Sequence, residues 1–220
     1  MTTIREDIDL ARVSYAEDLA NDPQWQVMEK QGWQHIGRSD KLLDDPVLRK
    51  DAAANGFSAD AFRSPSGEIV IANRGTEPTS IKDLWADFQL AFGIEPGQAD
   101  SARAFVDAVK AELQIRGEEV SAIHMTGHSL GDYLAQTGVK YVNKEYEGQI
   151  HATGFGLNGP GIGEADTSST DFVHLQLDSD LVHHAGGDHL GVDFTIDSIT
   201  PKYSPLTAHS SDSELLIRVY

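Results

Sequence analysis

The stretch Gly127-His128-Ser129-Leu130-Gly131 sets a serine between two glycines at a spacing of two. An apolar run, "EVSAIHMTG" over 119–127, precedes it, and a helix-like run, "SLGDYLAQTGVKYVNKEY" over 129–146, follows. A serine on a sharp strand-to-helix turn is forced into unfavourable backbone geometry, and its neighbours two positions away must lack a Cβ. The N-terminus of the helix brings exposed N–H groups and the positive end of its dipole to the hydroxyl. The N–H of Leu130 then points where an oxyanion would form. The chemistry this arrangement serves is nucleophilic attack on a carbonyl. Such a serine needs a base, and the base needs a carboxylate to orient it.

Both partners have candidates downstream. The first strand-like run to end in a carboxylate is "HLQLDSDLV", which offers Asp178 and Asp180. Four histidines follow: His183, His184, His189 and His209. His209, in "SPLTAHSSDSELL", lies on a late loop beyond the acid, where a base in the order serine, acid, histidine is expected. His183 and His184 lie too near Asp180 to leave room for a separate loop and read as exposed loop histidines. His124 falls within the strand and His128 is the variable residue of the turn, so both read as structural.

The elements that must position these residues are legible as changes of period. Residues 4–20 carry Ile4, Ile8, Ala11, Tyr15 and Leu19 at helical spacing. Residues 21–56 read as short helices and loops. "FSADAFRS" and "EIVIANRG", joined by "PSG", predict a hairpin. "SIKDLWADFQLAFG" reads as a helix, and residues 99–115 as a clear amphipathic one with Ala102, Phe105, Val109 and Leu113 on one face. "IHATGFGLNGPGIG" is a strand running into a glycine-rich loop, and "DFVHLQLDSD" is a strand. The remainder reads as loop, apart from "SELLIRVY" at the end. Strands alternating with helices predict an α/β fold with a largely parallel sheet, built as a single domain over 1–220 whose first 55 residues are mainly helical.

Composition narrows the partners. The 220 residues include no cysteine, which excludes thiol catalysis, disulfides and thiolate zinc sites. A net charge of −18 argues against nucleic acid and against anionic lipid surfaces. No run of about 18 apolar residues is present, and the acidic N-terminus lacks the basic start and apolar core of a signal peptide. The expectation is a protein of the cytoplasm, or one exported by a route that leaves the N-terminus uncut. No cofactor is required. Calcium is the first metal to expect, because Asp178, Asp188 and Asp193 concentrate hard oxygens near the proposed acid, with a zinc site from His183, His184, Asp188 and His189 as the lesser alternative.

Taken together, "IVIANRGT", "SIKDLWADFQLA", "GHSLG", the Asp-x-Val at 180–182, "LNGPGIG" and a late "AHS" resemble the class 3 lipases, in particular the bacterial lipase and phospholipase A1 branch, over about residues 55–215. The resemblance implies an α/β-hydrolase fold and cleavage of carboxylic esters of lipids, as a triacylglycerol lipase, an esterase or a phospholipase A1. It implies Ser129 as nucleophile, Asp180 as triad acid and His209 as base. Thr76 and Leu130 would supply the oxyanion N–H groups, with Gly127 and Gly131 flanking the turn. The segment around Ile81, Leu84, Trp85 and Phe88 falls where relatives carry a lid and offers apolar surface to a lipid interface. One departure bears on activity. Relatives have Gly or Ala where this chain has Asp132. Pointed into the site, that carboxylate would hold a proton on His209 and repel the oxyanion, and the alternative reading is then a catalytically impaired protein on a hydrolase scaffold. Pointed to solvent, it would be neutral.

Overall fold

A computed structural model describes residues 2–75, 97–178, 180 and 182–196. The chain begins with helix α1 (Ile4–Val13), a 3-10 turn (Leu19–Asn21) and α2 (Pro23–Lys30). Strand β1 (Gln34–Arg38), the short α3 (Ser39–Leu42), α4 (Pro46–Asn55) and the strands β2 (Ala59–Arg63) and β3 (Ile69–Asn73) follow. Helix α5 (Gly97–Ile115), β4 (Ala122–His128), α6 (Leu130–Glu145), β5 (His151–Leu157), β6 (Phe172–Leu177) and β7 (Val192–Ile196) complete the described elements. The strands form one seven-stranded sheet in sequential order. β1, β2 and β3 pair antiparallel, and β3 to β7 pair parallel.

The hairpin of β2 and β3, the strands β4 to β6 and the helices α5 and α6 match the periodicity of the sequence. Two strands are corrections to it. β1 lies in the region read as short helices and loops, and β7 in the region read as loop. The first helix is also shorter than its spacing predicts. α1 ends at Val13, and Ser14 turns its hydroxyl back to the Ala11 carbonyl at 2.7 Å. Its start is secured by a capping box, in which Thr3 and Glu6 satisfy each other's backbone N–H groups.

Both faces of the sheet are covered, which is why β3 reads "IVIA" without polar interruption. Ile69 and Ile71 join the core beneath α5 and α6, with Phe105, Val109, Leu113, Leu134 and Phe172. Val70 and Ala72 point the other way, to Leu10, Trp25, Met28 and Trp33 of the N-terminal region. No described helix is long and apolar enough to cross a membrane.

Candidate active site

Ser129 occupies the single position between β4 and α6, with φ 60° and ψ −125°. Among the described residues only Asn158 shares a positive φ without being glycine. Such a conformation costs on the order of 1–3 kcal/mol and persists only where its surroundings enforce it. Here they do. The Ser129 N–H donates to the Leu157 carbonyl of β5 at 2.9 Å, and the Ser129 carbonyl accepts from Asp132 N–H at 3.0 Å. A Cβ on Gly127 would strike the backbone of Gly131, and one on Gly131 would strike the Asn73 carbonyl of β3. The two glycines thus let strand, helix and neighbouring strand close on the turn. A serine ahead of a helix normally caps it, yet the Ser129 side chain makes no capping bond. Leu130 is the first helical residue, so its N–H lacks an intrahelical acceptor by position.

The Arg-Gly element arrives beside this serine. Asn73, the last residue of β3, sits in register with Gly127. A Cβ on Gly75 would press on the Tyr15 hydroxyl and the His128 carbonyl and lie 3.4 Å from Ser129 Cβ. The chain therefore passes directly beside Ser129 at the residue before Thr76. Tyr15 completes this corner: its hydroxyl lies 3.2 Å from His128 Nδ1, and the Arg74 guanidinium stands 5.9 Å over its ring. Tyr15 reads in the sequence as one more member of a helical stripe. No local signal marks it, because its partners come from the end of β4 and the residue after β3, both distant in sequence.

The two acid candidates diverge. Asp178 is exposed, whereas Asp180 is fully buried. The Asp180 N–H donates to Leu177 at 2.9 Å, and its carboxylate accepts from Val182 N–H at 2.9 Å. Ser129 follows β4 and Asp180 follows β6, so both stand at the carboxyl edge of the parallel sheet, where α/β folds bind ligands. Asn158 sets the end of β6. Its backbone N–H donates to Leu175, and its side-chain carbonyl accepts from Leu177 N–H at 2.9 Å.

Two expectations need correcting. His183 is buried, not an exposed loop histidine, although its neighbour His184 is exposed. Burial, then the neighbouring His184, push the His183 imidazole below its ordinary range, against the pull of Asp180. Asp132 points neither into the site nor to solvent. It is fully buried and turned toward β5 and β6, where it accepts from Gly159 N–H at 3.0 Å and from Gln136 at 3.1 Å. The third partner is His174, at 3.2 Å.

The calcium candidates are not brought together. Asp178 and Asp188 are exposed, and Asp193 lies 3.0 Å from His189 Nδ1. Among the described residues no group of three or more His, Asp or Glu is placed to hold a metal ion. Thr76, His209 and the lid segment with Ile81, Leu84, Trp85 and Phe88 lie outside the described residues.

Comparison with known proteins places this geometry. The family model Mbeg1-like matches residues 46–180, which run from the start of α4 through the elbow to Asp180. The chain belongs to the Mbeg1-like family. No curated protein matches the sequence. The Mbeg1-like fold does have solved counterparts. Lipase II from Rhizopus niveus superposes with a TM-score of 0.51 at 16% identity, over 88% of this chain and 80% of that one. M37 lipase gives 0.54 at 16% identity, over 84% and 70%. An MDLA mutant form from Penicillium cyclopium gives 0.54 at 15%, over 96% and 87%. At such identities the likeness is one of fold: the Mbeg1-like chain has the α/β-hydrolase architecture of lipases.

Proposed function

We propose that this protein is a serine hydrolase that cleaves carboxylic esters of lipids. The observation that carries the reading is Ser129: a serine held at φ 60° between β4 and α6, clamped by two glycines and excused from capping its helix. In this reading Ser129 attacks the ester carbonyl while His209 takes its proton. The N–H groups of Leu130 and Thr76 receive the oxyanion, each donor lowering the barrier by about 3 kcal/mol. His209 then protonates the leaving alcohol, and water repeats the attack on the acyl-enzyme. Asp180, buried at the same sheet edge, keeps the imidazole in the required tautomer. Every group in the cycle belongs to the chain. The apolar segment from Ile81 to Phe88 favours a lipid substrate, of the triacylglycerol or phospholipid type, with transient contact at a lipid interface. The burial of Asp132 toward β5 and β6 supports a site free of its charge.

Hydrolysis of p-nitrophenyl butyrate and palmitate by wild type and Ser129→Ala tests the reading. The substitution is expected to lower kcat by roughly four orders of magnitude or more. The wild-type rate should rise from about pH 6 to 8 as His209 becomes neutral. A Ser129→Ala protein with the wild-type rate would overturn the assignment.

A further inference from the structure

The buried carboxylate of Asp132 belongs to a polar network that the triad does not use. Room for it is built into the opposite wall. A Cβ on Gly156 or on Gly159 would collide with the Asp132 side chain. Asp132 Oδ2 accepts from Gly159 N–H, and its Oδ1 accepts from Gln136 Nε2. Gln136 also donates to the Pro160 carbonyl at 3.0 Å and accepts from Leu190 N–H at 3.1 Å. His174 of β6 closes the network, with Nδ1 3.2 Å from Asp132 Oδ2 and Nε2 2.9 Å from the Leu190 carbonyl. Both His174 and Asp132 have no solvent-exposed side-chain surface.

The partners fix the proton count. A carboxylate and a peptide carbonyl only accept, so both ring nitrogens must donate. The pair is therefore an imidazolium beside a carboxylate, one proton more than a carboxylate beside a neutral imidazole. The other groups facing His174 are consistent with a cation. Its ring stacks on Phe172 at 4.5 Å and on His189 at 4.8 Å, and His189 is itself held by Asp193 of β7. Burial alone would lower the His174 imidazole; Asp132, the Leu190 carbonyl and Asp193 outweigh burial and hold it above its ordinary value.

The ends of this network are the two arms of the proposed site. Asp132 lies in the first turn of the helix that Ser129 opens. Leu190 lies on the loop that begins after Asp180. We infer that the protonated His174–Asp132 pair is a positioning device, which ties the acid-bearing loop to the nucleophile helix and makes activity depend on its proton. When that proton leaves, one N–H remains for two buried acceptors, and one of the two ties is lost. A small misplacement of acid against nucleophile is enough to slow the chemistry. This inference rests on the reading of Ser129 given above.

The test uses the intact wild-type chain. Nitrogen-15 NMR of labelled histidine follows His174 from pH 5 to 10, and the rate of Ser129 modification by a fluorophosphonate is measured over the same range. His174 is expected to be doubly protonated at pH 6.5. The modification rate should fall along a one-proton curve centred on the NMR midpoint of His174 and level off about tenfold lower. In His174→Gln, checked for folding by circular dichroism, the alkaline fall should be absent and the rate at pH 7 reduced about tenfold. A singly protonated His174 at pH 6.5 would overturn the proposal. So would an alkaline fall whose midpoint differs from that of His174, or one that persists in the folded variant. If Ser129 reacts at no pH, the serine-hydrolase reading falls and the positioning role with it. The NMR titration separates that outcome, because it reads the charge state of His174 without activity.

Discussion

Among the described residues, two histidine–carboxylate pairs have both partners buried, on opposite faces of the sheet, and they are not equivalent. On the α6 face, every polar atom of Asp132 and His174 has an aligned partner. On the α1 face, Asp7 Oδ1 stands 3.0 Å from His124 Nε2, but the two atoms are not aligned as a hydrogen bond and among the described residues neither has another hydrogen-bond partner. His124 instead places Nδ1 2.9 Å from the Thr153 hydroxyl. Burial, only partly offset by His124, pushes the Asp7 carboxyl up from its usual range. The same residue types at the same depth thus serve differently. One pair is organised by backbone N–H groups and carbonyls around it. The other is two charges taken out of water with incomplete compensation, which generally costs stability.

The comparison can be broken from either side. The largest effect is expected for His174→Leu with Asp132 left in place. An uncompensated carboxylate would remain in the core, at a cost of about 3–5 kcal/mol, visible as a large drop in Tm at pH 6. The wild-type contribution has a definite sign. Because His174 is raised in the folded state, its stabilisation is complete below about pH 6.5, the unfolded value, and is lost as pH rises through the folded one. The gap in Tm between wild type and His174→Leu should therefore narrow on the alkaline side. A gap that is constant from pH 6 to 9 would show that the pair does not titrate as described.

A smaller effect of opposite character is expected for Asp7→Asn. Asp7 is raised in the folded state, so the folded protein holds a proton there that the unfolded chain has released. Its net cost to stability accumulates as pH climbs from the ordinary carboxylate range through the raised folded value. Removing the charge should leave stability within about 1 kcal/mol of wild type, or above it, at pH 8. That advantage should shrink toward pH 4. A loss of several degrees in Tm at pH 8 would mean that the Asp7–His124 contact stabilises after all and that the two pairs are alike.

The contrast also shows what the sequence carries. The elbow was legible because its demands are local: a strand, two glycines at fixed offsets and a helix lie within one short stretch. The hairpin and α5 were legible for the same reason, since turn residues and a period of 3.6 are contained in their own segments. β7 escaped because its pattern, Val-Asp-Phe-Thr-Ile, sits in an acidic, glycine-rich stretch and four of its five residues remain exposed. β1 escaped because only Ile36 of its five residues is buried. The direction of Asp132 was undecidable in principle from its own neighbourhood. It is set by the missing Cβ atoms of Gly156 and Gly159 and by His174, residues of β5, its following loop and β6 that only the parallel sheet brings together. The burial of His183 has the same origin, since proximity to Asp180 in sequence says nothing of what packs over it.

If Ser129 is a nucleophile, an electrophile that traps activated serines will mark it. The intact protein would be incubated with a fluorophosphonate at pH 8, digested, and the adduct located by mass spectrometry. One adduct is expected, on Ser129, and none in Ser129→Ala. A wild-type protein that stays unmodified, or carries its adduct on another residue, would contradict it.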